Sequence, residues 1–148
     1  MTIVETTPAA AAAAMEASED VVYLDVRTEE EFVGGHPYGA LNIPIFVSDP
    51  STGQMIPNPD FQAVIEATIA RTATVFCGCA SGPRSAHATM LMSSWGYTDV
   101  ANVHAGFTGV HDSYGRLLVP GWEALGLPVE VGEDEQRSYG ALREATGC

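Results

Sequence analysis

Two cysteines, Cys77 and Cys79, flank Gly78 where a short apolar run gives way to Ala80-Ser81-Gly82-Pro83-Arg84-Ser85. A cysteine acts as a nucleophile in its thiolate form. The loop after Cys79 offers two ways to favour that form. Its backbone N–H groups can curl around one point, and the start of the following helix adds its positive end. Arg84 adds a full positive charge at the far end of the loop. Gly82 supplies a permissive backbone, and Pro83 gives up one N–H, leaving the cradle one donor fewer. Cys79 is therefore the candidate nucleophile, with Ala80, Ser81, Gly82, Pro83, Arg84 and Ser85 as the candidate substrate cradle. Cys77 falls inside the apolar run and reads as a core residue, with a resolving thiol as its functional alternative. Cys148 is terminal and reads as a free thiol. No second Cys/His cluster follows at zinc-ligand spacing, so no metal site is expected.

The elements that must hold this loop can be read from periodicity and punctuation. Thr72 to Cys77 is short, apolar and β-branched, and Gly78 stops it, which predicts a buried strand. Ser85 to Trp95 predicts a helix. Upstream, Thr2-Ile3-Val4 reads as a short strand, followed by a helix from Pro8 to about Ala17 with Thr7 as its cap. Val21 to Val26 is a second buried strand. Thr28 begins a helix with an acidic first turn, and Gly34-Gly35 ends it. Ala40 to Pro44 is a further short strand, and Val47 to Pro57 reads as a loop. Asn58-Pro59-Asp60 opens a helix in which Phe61, Val64, Ile65 and Ile69 recur at helical spacing. Val100 to Val103 is another strand, and Gly106 to Gly121 a long glycine-rich connection. Trp122 to Leu125 reads as a short helix, and Arg137 to Ala145 as a last one. Strands separated by helices require crossover connections, hence a parallel sheet in a three-layer α/β domain. Chemistry in such sheets sits at the carboxyl ends of the strands, where Cys79 falls.

The chain has 148 residues and a net charge of −13. A chain of this length suits one domain, residues 1–148, that buries roughly 70% of its unfolded surface. The tail from about residue 131 reads as an appended helix. All six basic residues are Arg and Lys is absent. No general basic surface can form, which argues against nucleic acid or an anionic membrane as partner. An anionic substrate would have to be held locally. No run approaches the roughly 18 apolar residues of a membrane span. The Ala9–Ala14 run lacks a basic segment before it and is flanked by acids, so it reads as helix and not as a leader. Three cysteines without a regular framework point to a reducing, cytoplasmic setting.

The segment Cys79 to Ser85 resembles the active-site loop of the rhodanese (sulfurtransferase) family, Cys-x-Ser-Gly-x-Arg-Ser. The resemblance extends through Leu24-Asp25-Val26-Arg27, Glu30-Glu31-Phe32, Gly35-His36 and Gly39 to Pro44. It continues in Gly96-Tyr97, Val103, Gly106-Phe107, Gly121-Trp122 and Gly126-Leu127-Pro128. It implies a rhodanese-like domain with a central, mostly parallel sheet of about five strands. By the same resemblance, sulfurtransferases have four residues between Cys and Arg, and the related phosphatases and arsenate reductases have five. Cys79 and Arg84 enclose four, and a smaller cradle suits a sulfur atom better than a phosphate.

The implied reaction moves sulfane sulfur from a donor anion such as thiosulfate to an acceptor through a Cys79 persulfide. The acceptor would be a thiol, cyanide or a sulfur-acceptor protein, and no cofactor is implied. Alternatives are a Cys-based phosphatase or arsenate reductase, and a noncatalytic sulfur-relay or binding module. The chain departs from short family members by an insertion, Thr108 to Arg116, which resemblance puts near the site mouth. Several charged and aromatic residues admit quieter readings. Asp25 and Arg27 read as a charged pair organising the sheet end, and Arg84 divides between a loop tie and a substrate contact. His36 reads as a hydrogen-bonding loop residue, His87 as a packing or surface residue, and Trp122 as core. His104, His111 and Arg116, in or near the insertion, are candidates for a substrate contact.

Overall fold

The computed structural model describes residues 3–147. In chain order the elements are β1 (Glu5–Thr6), α1 (Pro8–Ala17), β2 (Val21–Asp25), α2 (Glu29–Gly34), β3 (His36–Pro37), β4 (Leu41–Asn42), β5 (Phe46–Ser48), β6 (Met55–Pro57), α3 (Phe61–Thr68), β7 (Thr74–Gly78), α4 (Pro83–Ser94), β8 (Asp99–Val103), β9 (Val110–His111), β10 (Leu117–Val119), β11 (Val129–Glu130) and α5 (Tyr139–Thr146). Among the described residues the central sheet has five strands in the order β1-β8-β7-β2-β4. Every pairing in it is parallel.

Alternation along the strands splits the core into two layers. Val22, Leu24, Val75 and Cys77 point to one face, where α3, α4 and α5 supply Val64, Ile65, Met92 and Leu142. Tyr23 and Phe76 point to the other, against Ala11 of α1, Phe32 of α2 and Trp122. Strand register places Val22 beside Val75, Tyr23 beside Phe76 and Leu24 beside Cys77, so same-face neighbours meet across the pair. Each large side chain fully buried in this way stabilises the fold by about 1.5–3 kcal/mol. Tyr23 meets Trp122 edge to face, with ring centroids 5.4 Å apart.

The carboxyl end of the sheet is organised by a buried ion pair. Arg27 Nη2 donates to Asp25 Oδ2 at 2.8 Å and to the Gly35 carbonyl at 2.7 Å. Its guanidinium lies 4.5 Å from the centre of the Phe107 ring. Asn42 Nδ2 donates to the carbonyls of Asp25 and Arg27. Both charges are paired and further hydrogen-bonded, the condition under which buried ions are tolerated. Asp25 and Arg27 thus join the end of β2 to the end of α2 and to the chain after β8.

Four sequence expectations need correction. Residues 47–57 are not a plain loop: β5 and β6 form an antiparallel hairpin. The glycine-rich connection likewise contains a hairpin of β9 and β10 with an irregular register. Residues 122–125 form a turn and not a helix, with Gly126 N–H donating to the Glu123 carbonyl. The first strand is Glu5–Thr6, one step beyond the expected one. Thr2 and Cys148 lie outside the described residues. The tail is tied down by β11, which pairs with β3, and by α5, where the Tyr139 hydroxyl accepts from Asn58 Nδ2 at 2.9 Å.

Candidate active site

β7 ends at Gly78, whose carbonyl accepts the Val26 N–H at 3.0 Å. A side chain at Gly78 would fall on the Tyr23 hydroxyl. Only glycine therefore lets the strand end against Tyr23, whose phenol is pushed well above its ordinary value, chiefly by burial. Cys79 follows at once, and α4 starts four residues later at Pro83, two residues before the expected Ser85. The chain turns through Gly82 at φ +126°, the left-handed side of backbone space that favours glycine. Pro83 then occupies the first helical turn, where its missing N–H costs nothing.

Cys79 is 1% exposed, and two donor groups lie against its sulfur. The Gly82 N–H donates to Sγ at 3.1 Å, and the Ser85 hydroxyl reaches Sγ at 3.3 Å. Ser85 Oγ also lies 3.0 Å from the Gly82 carbonyl and 2.6 Å from Asn102 Oδ1. Asn102 in turn donates from Nδ2 to Glu5 Oε1 at 3.2 Å. Donors aimed at a sulfur atom in a low-dielectric setting stabilise negative charge on it. Such a sulfur can attack an electrophile or hold an anionic group at its end.

The loop is pinned from the far side by the connection after β8. Phe107 N–H donates to the Cys79 carbonyl at 2.8 Å. Thr108 donates its N–H and its hydroxyl to the Ala80 carbonyl, at 2.9 and 2.8 Å. Gly106 makes this approach possible: its φ is +51°, and a Cβ there would collide with the Cys79 carbonyl oxygen. The insertion is therefore rooted on the cysteine loop through Thr108. Its tip stands out in solvent, with Tyr114 86% exposed.

Arg84 is held in a bidentate pair. Its Nη1 and Nη2 donate to Glu31 Oε1 and Oε2, at 2.7 and 3.0 Å. Glu31 also closes the capping box of α2 with Thr28. Partial burial alone would raise the Glu31 carboxyl, but Arg84 and the Thr28 N–H overcome it and hold the group down at about 2. The same pair raises Arg84, against the opposing effect of burial. In this structure the loop arginine is a tie between α4 and α2.

The remaining candidates are scattered. Cys77 is fully buried beside Met92, and burial pushes its thiol up to about 12, so it is a core thiol. Ser81 and Pro83 are exposed and Ala80 is half-buried. His36 is buried, stacked on Phe32 and bonded to its carbonyl at 2.6 Å. His87, His111 and Arg116 are exposed, and His104 lies 3.9 Å from Glu5. Trp122 is 1% exposed, within the core. Among the described residues no group of three or more His, Cys, Asp or Glu could hold a metal ion. No described helix is long and apolar enough to cross a membrane. Sequence reasoning missed Glu31, Asn102 and Glu5. Asn102 did leave a signal, as the one polar residue inside the strand Val100-Ala101-Asn102-Val103.

The family model of the rhodanese-like domain matches residues 7–113, a span that includes the cysteine loop, Asn102 and Thr108. The chain belongs to this family. It is 41% identical over 109 residues to the chloroplastic thiosulfate sulfurtransferase 16 of Arabidopsis thaliana, covering 74% of this chain and 79% of that one. Thiosulfate sulfurtransferase 18 of the same plant is 36% identical over 115 residues, with coverages of 76% and 74%. The chain spans about half the length of several other curated relatives it matches. Among solved structures, Rv0390 of M. tuberculosis superposes with a TM-score of 0.74 at 30% identity, over 89% of this chain and all of that one. The three-layer parallel architecture is thus the rhodanese fold.

Proposed function

We propose that this rhodanese-like protein is a sulfurtransferase that carries sulfane sulfur on Cys79. The observation that carries the reading is the setting of Sγ, at the end of the central β7 with a backbone N–H donating to it and a hydroxyl within reach. The relatives named thiosulfate sulfurtransferase support the reaction class. Thiosulfate or a similar small sulfur-bearing anion is the donor. Cys79 thiolate attacks its outer sulfur, a Cys79 S–S bond forms, and the donor's S–S bond breaks, with sulfite leaving on its electron pair. The Gly82 N–H and the Ser85 hydroxyl then serve the persulfide. An acceptor nucleophile, cyanide or a thiol of small or protein origin, takes the outer sulfur, and Cys79 leaves as thiolate. Arg84, held on Glu31 by one N–H from each terminal nitrogen, keeps further N–H groups for the anion. The protein acts in a reducing compartment such as the cytoplasm, where an acceptor thiol stays reduced.

Steady-state formation of thiocyanate from thiosulfate and cyanide tests the reading. Two half-reactions on one sulfur give parallel lines in double-reciprocal plots. Cys79→Ser should reduce the rate to background. A rate unchanged in Cys79→Ser would remove Cys79 from the reaction.

A further inference from the structure

The Ser85 hydroxyl has one hydrogen and three acceptors within reach: Cys79 Sγ at 3.3 Å, the Gly82 carbonyl at 3.0 Å and Asn102 Oδ1 at 2.6 Å. It can serve only one well at a time. The shortest contact is to Asn102, which is 3% exposed and sits on β8, next to β7 in the sheet. Asn102 cannot turn freely, because its Nδ2 is bound to Glu5 Oε1 at 3.2 Å. That bond decides which end of the amide faces Ser85. An amide turned the other way would present a donor to Oγ and leave the hydroxyl hydrogen to the sulfur.

We infer that Asn102 is a positioning residue for Cys79, acting through the single hydrogen of Ser85, and that Glu5 fixes the Asn102 amide in the acceptor orientation. The inference rests on the reading of Cys79 as the reacting sulfur. With Cys79 protonated, Ser85 donates to Asn102 and its oxygen accepts the thiol S–H. When the sulfur becomes an anion, the hydroxyl rotates and donates to it, and Asn102 Oδ1 gives up its donor. The loss of that buried bond opposes charging of the sulfur. Asn102 therefore works against Ser85, and the two residues should have opposite effects on the sulfur. The S–H bond breaks with its electron pair left on sulfur and its proton passed to solvent; no other covalent bond changes, and the hydroxyl only turns.

The test is the pH–rate profile of iodoacetamide alkylation at Cys79, read on the Cys79 peptide by mass spectrometry, with folding followed by thermal melting. Asn102→Ala should move the profile to lower pH, alkylating about threefold faster on its acid limb. Glu5→Ala, a change at an exposed side chain, should move it the same way by less. Ser85→Ala should move it to higher pH. In the Ser85→Ala background both shifts should vanish, since no hydroxyl remains to redirect. A plain loss of packing, or a through-space charge effect of Glu5, would survive in that background and would overturn the inference. So would an Asn102→Ala shift in the direction of Ser85→Ala, or an unmoved Glu5→Ala profile. Alkylation does not require sulfur transfer: a Cys79 that shows this coupling but never takes up sulfur would sink the transferase reading alone.

Discussion

Arg84 in the cysteine loop donates both terminal nitrogens to the Glu31 carboxylate, 53 positions away in sequence, at 2.7 and 3.0 Å. The same carboxylate accepts the Thr28 N–H and closes the start of α2. One side chain thus fastens the cysteine loop to the first helix after β2. Fork-to-fork geometry fixes direction as well as distance.

This relation gives stability a pH dependence. Glu31 is held at about 2 in the fold, below its ordinary value of 4.5. A carboxylate with a depressed value adds stability that is fully present above its unfolded value. That stability is lost as pH falls from about 4.5 through about 2. Glu31→Gln should lower stability near neutrality by about 1 kcal/mol, the scale of a partly exposed pair with its cap. It should also flatten the acid limb of the stability curve over the same window. Urea unfolding at several pH values measures both, and an acid limb as steep as that of the parent protein would count against the pair.

Cys77 and Cys79 should separate cleanly by chemistry. Burial holds the Cys77 thiol at about 12, so it stays protonated near neutrality. Alkylation of the native protein near pH 8 should label Cys79 and spare Cys77. Cys77→Ala should keep sulfur transfer within about twofold, while the small cavity beside Met92 costs about 1 kcal/mol. Peptide mapping and thermal melting check these outcomes, and a Cys77 label equal to that on Cys79 would refute the assignment.

Gly106→Ala should be severe for a backbone reason. The residue sits at φ +51°, and its new Cβ would meet the Cys79 carbonyl oxygen. The connection must back away from the loop, straining the Phe107 and Thr108 bonds. A loss of about 2 kcal/mol or more in stability is expected, with sulfur transfer reduced at least about tenfold through a displaced cysteine. Gly34→Ala, which has open space around it, is the control for a plain glycine replacement. Equal behaviour of the two variants would remove the steric argument.

Much of the frame was legible in the sequence because its signals are local. Pro8 and Thr7 marked α1, and β-branched runs marked β2 and β7. A four-residue spacing from Cys79 to Arg84 marked the loop. The parts that stayed hidden depend on distant chain segments. Nothing local to His36 and Pro37 announces that they pair with Val129 and Glu130. The β5–β6 hairpin was masked by the Ser, Asp, Pro and Gly that make its turn. Trp122 carried a helical composition, but its side chain went into the core and donates to the Pro128 carbonyl at 2.7 Å, which favours a turn. Glu31 counted only as part of an acidic first turn, because its partner Arg84 lies on another helix 53 positions away. Asn102 stood out only as a polar residue in an apolar strand, and its link to Cys79 needed the neighbouring β7 to be placed.

The central claim is that Cys79 carries sulfur, and intact-protein mass spectrometry tests it most directly. After incubation with thiosulfate and desalting, the protein should gain one sulfur mass, mapped to Cys79 and removed by cyanide. Cys79→Ser should gain none, while Cys77→Ala should load like the parent. A parent protein that stays unmodified by thiosulfate and by polysulfide, with its Cys79 thiol shown to be free, would contradict the account.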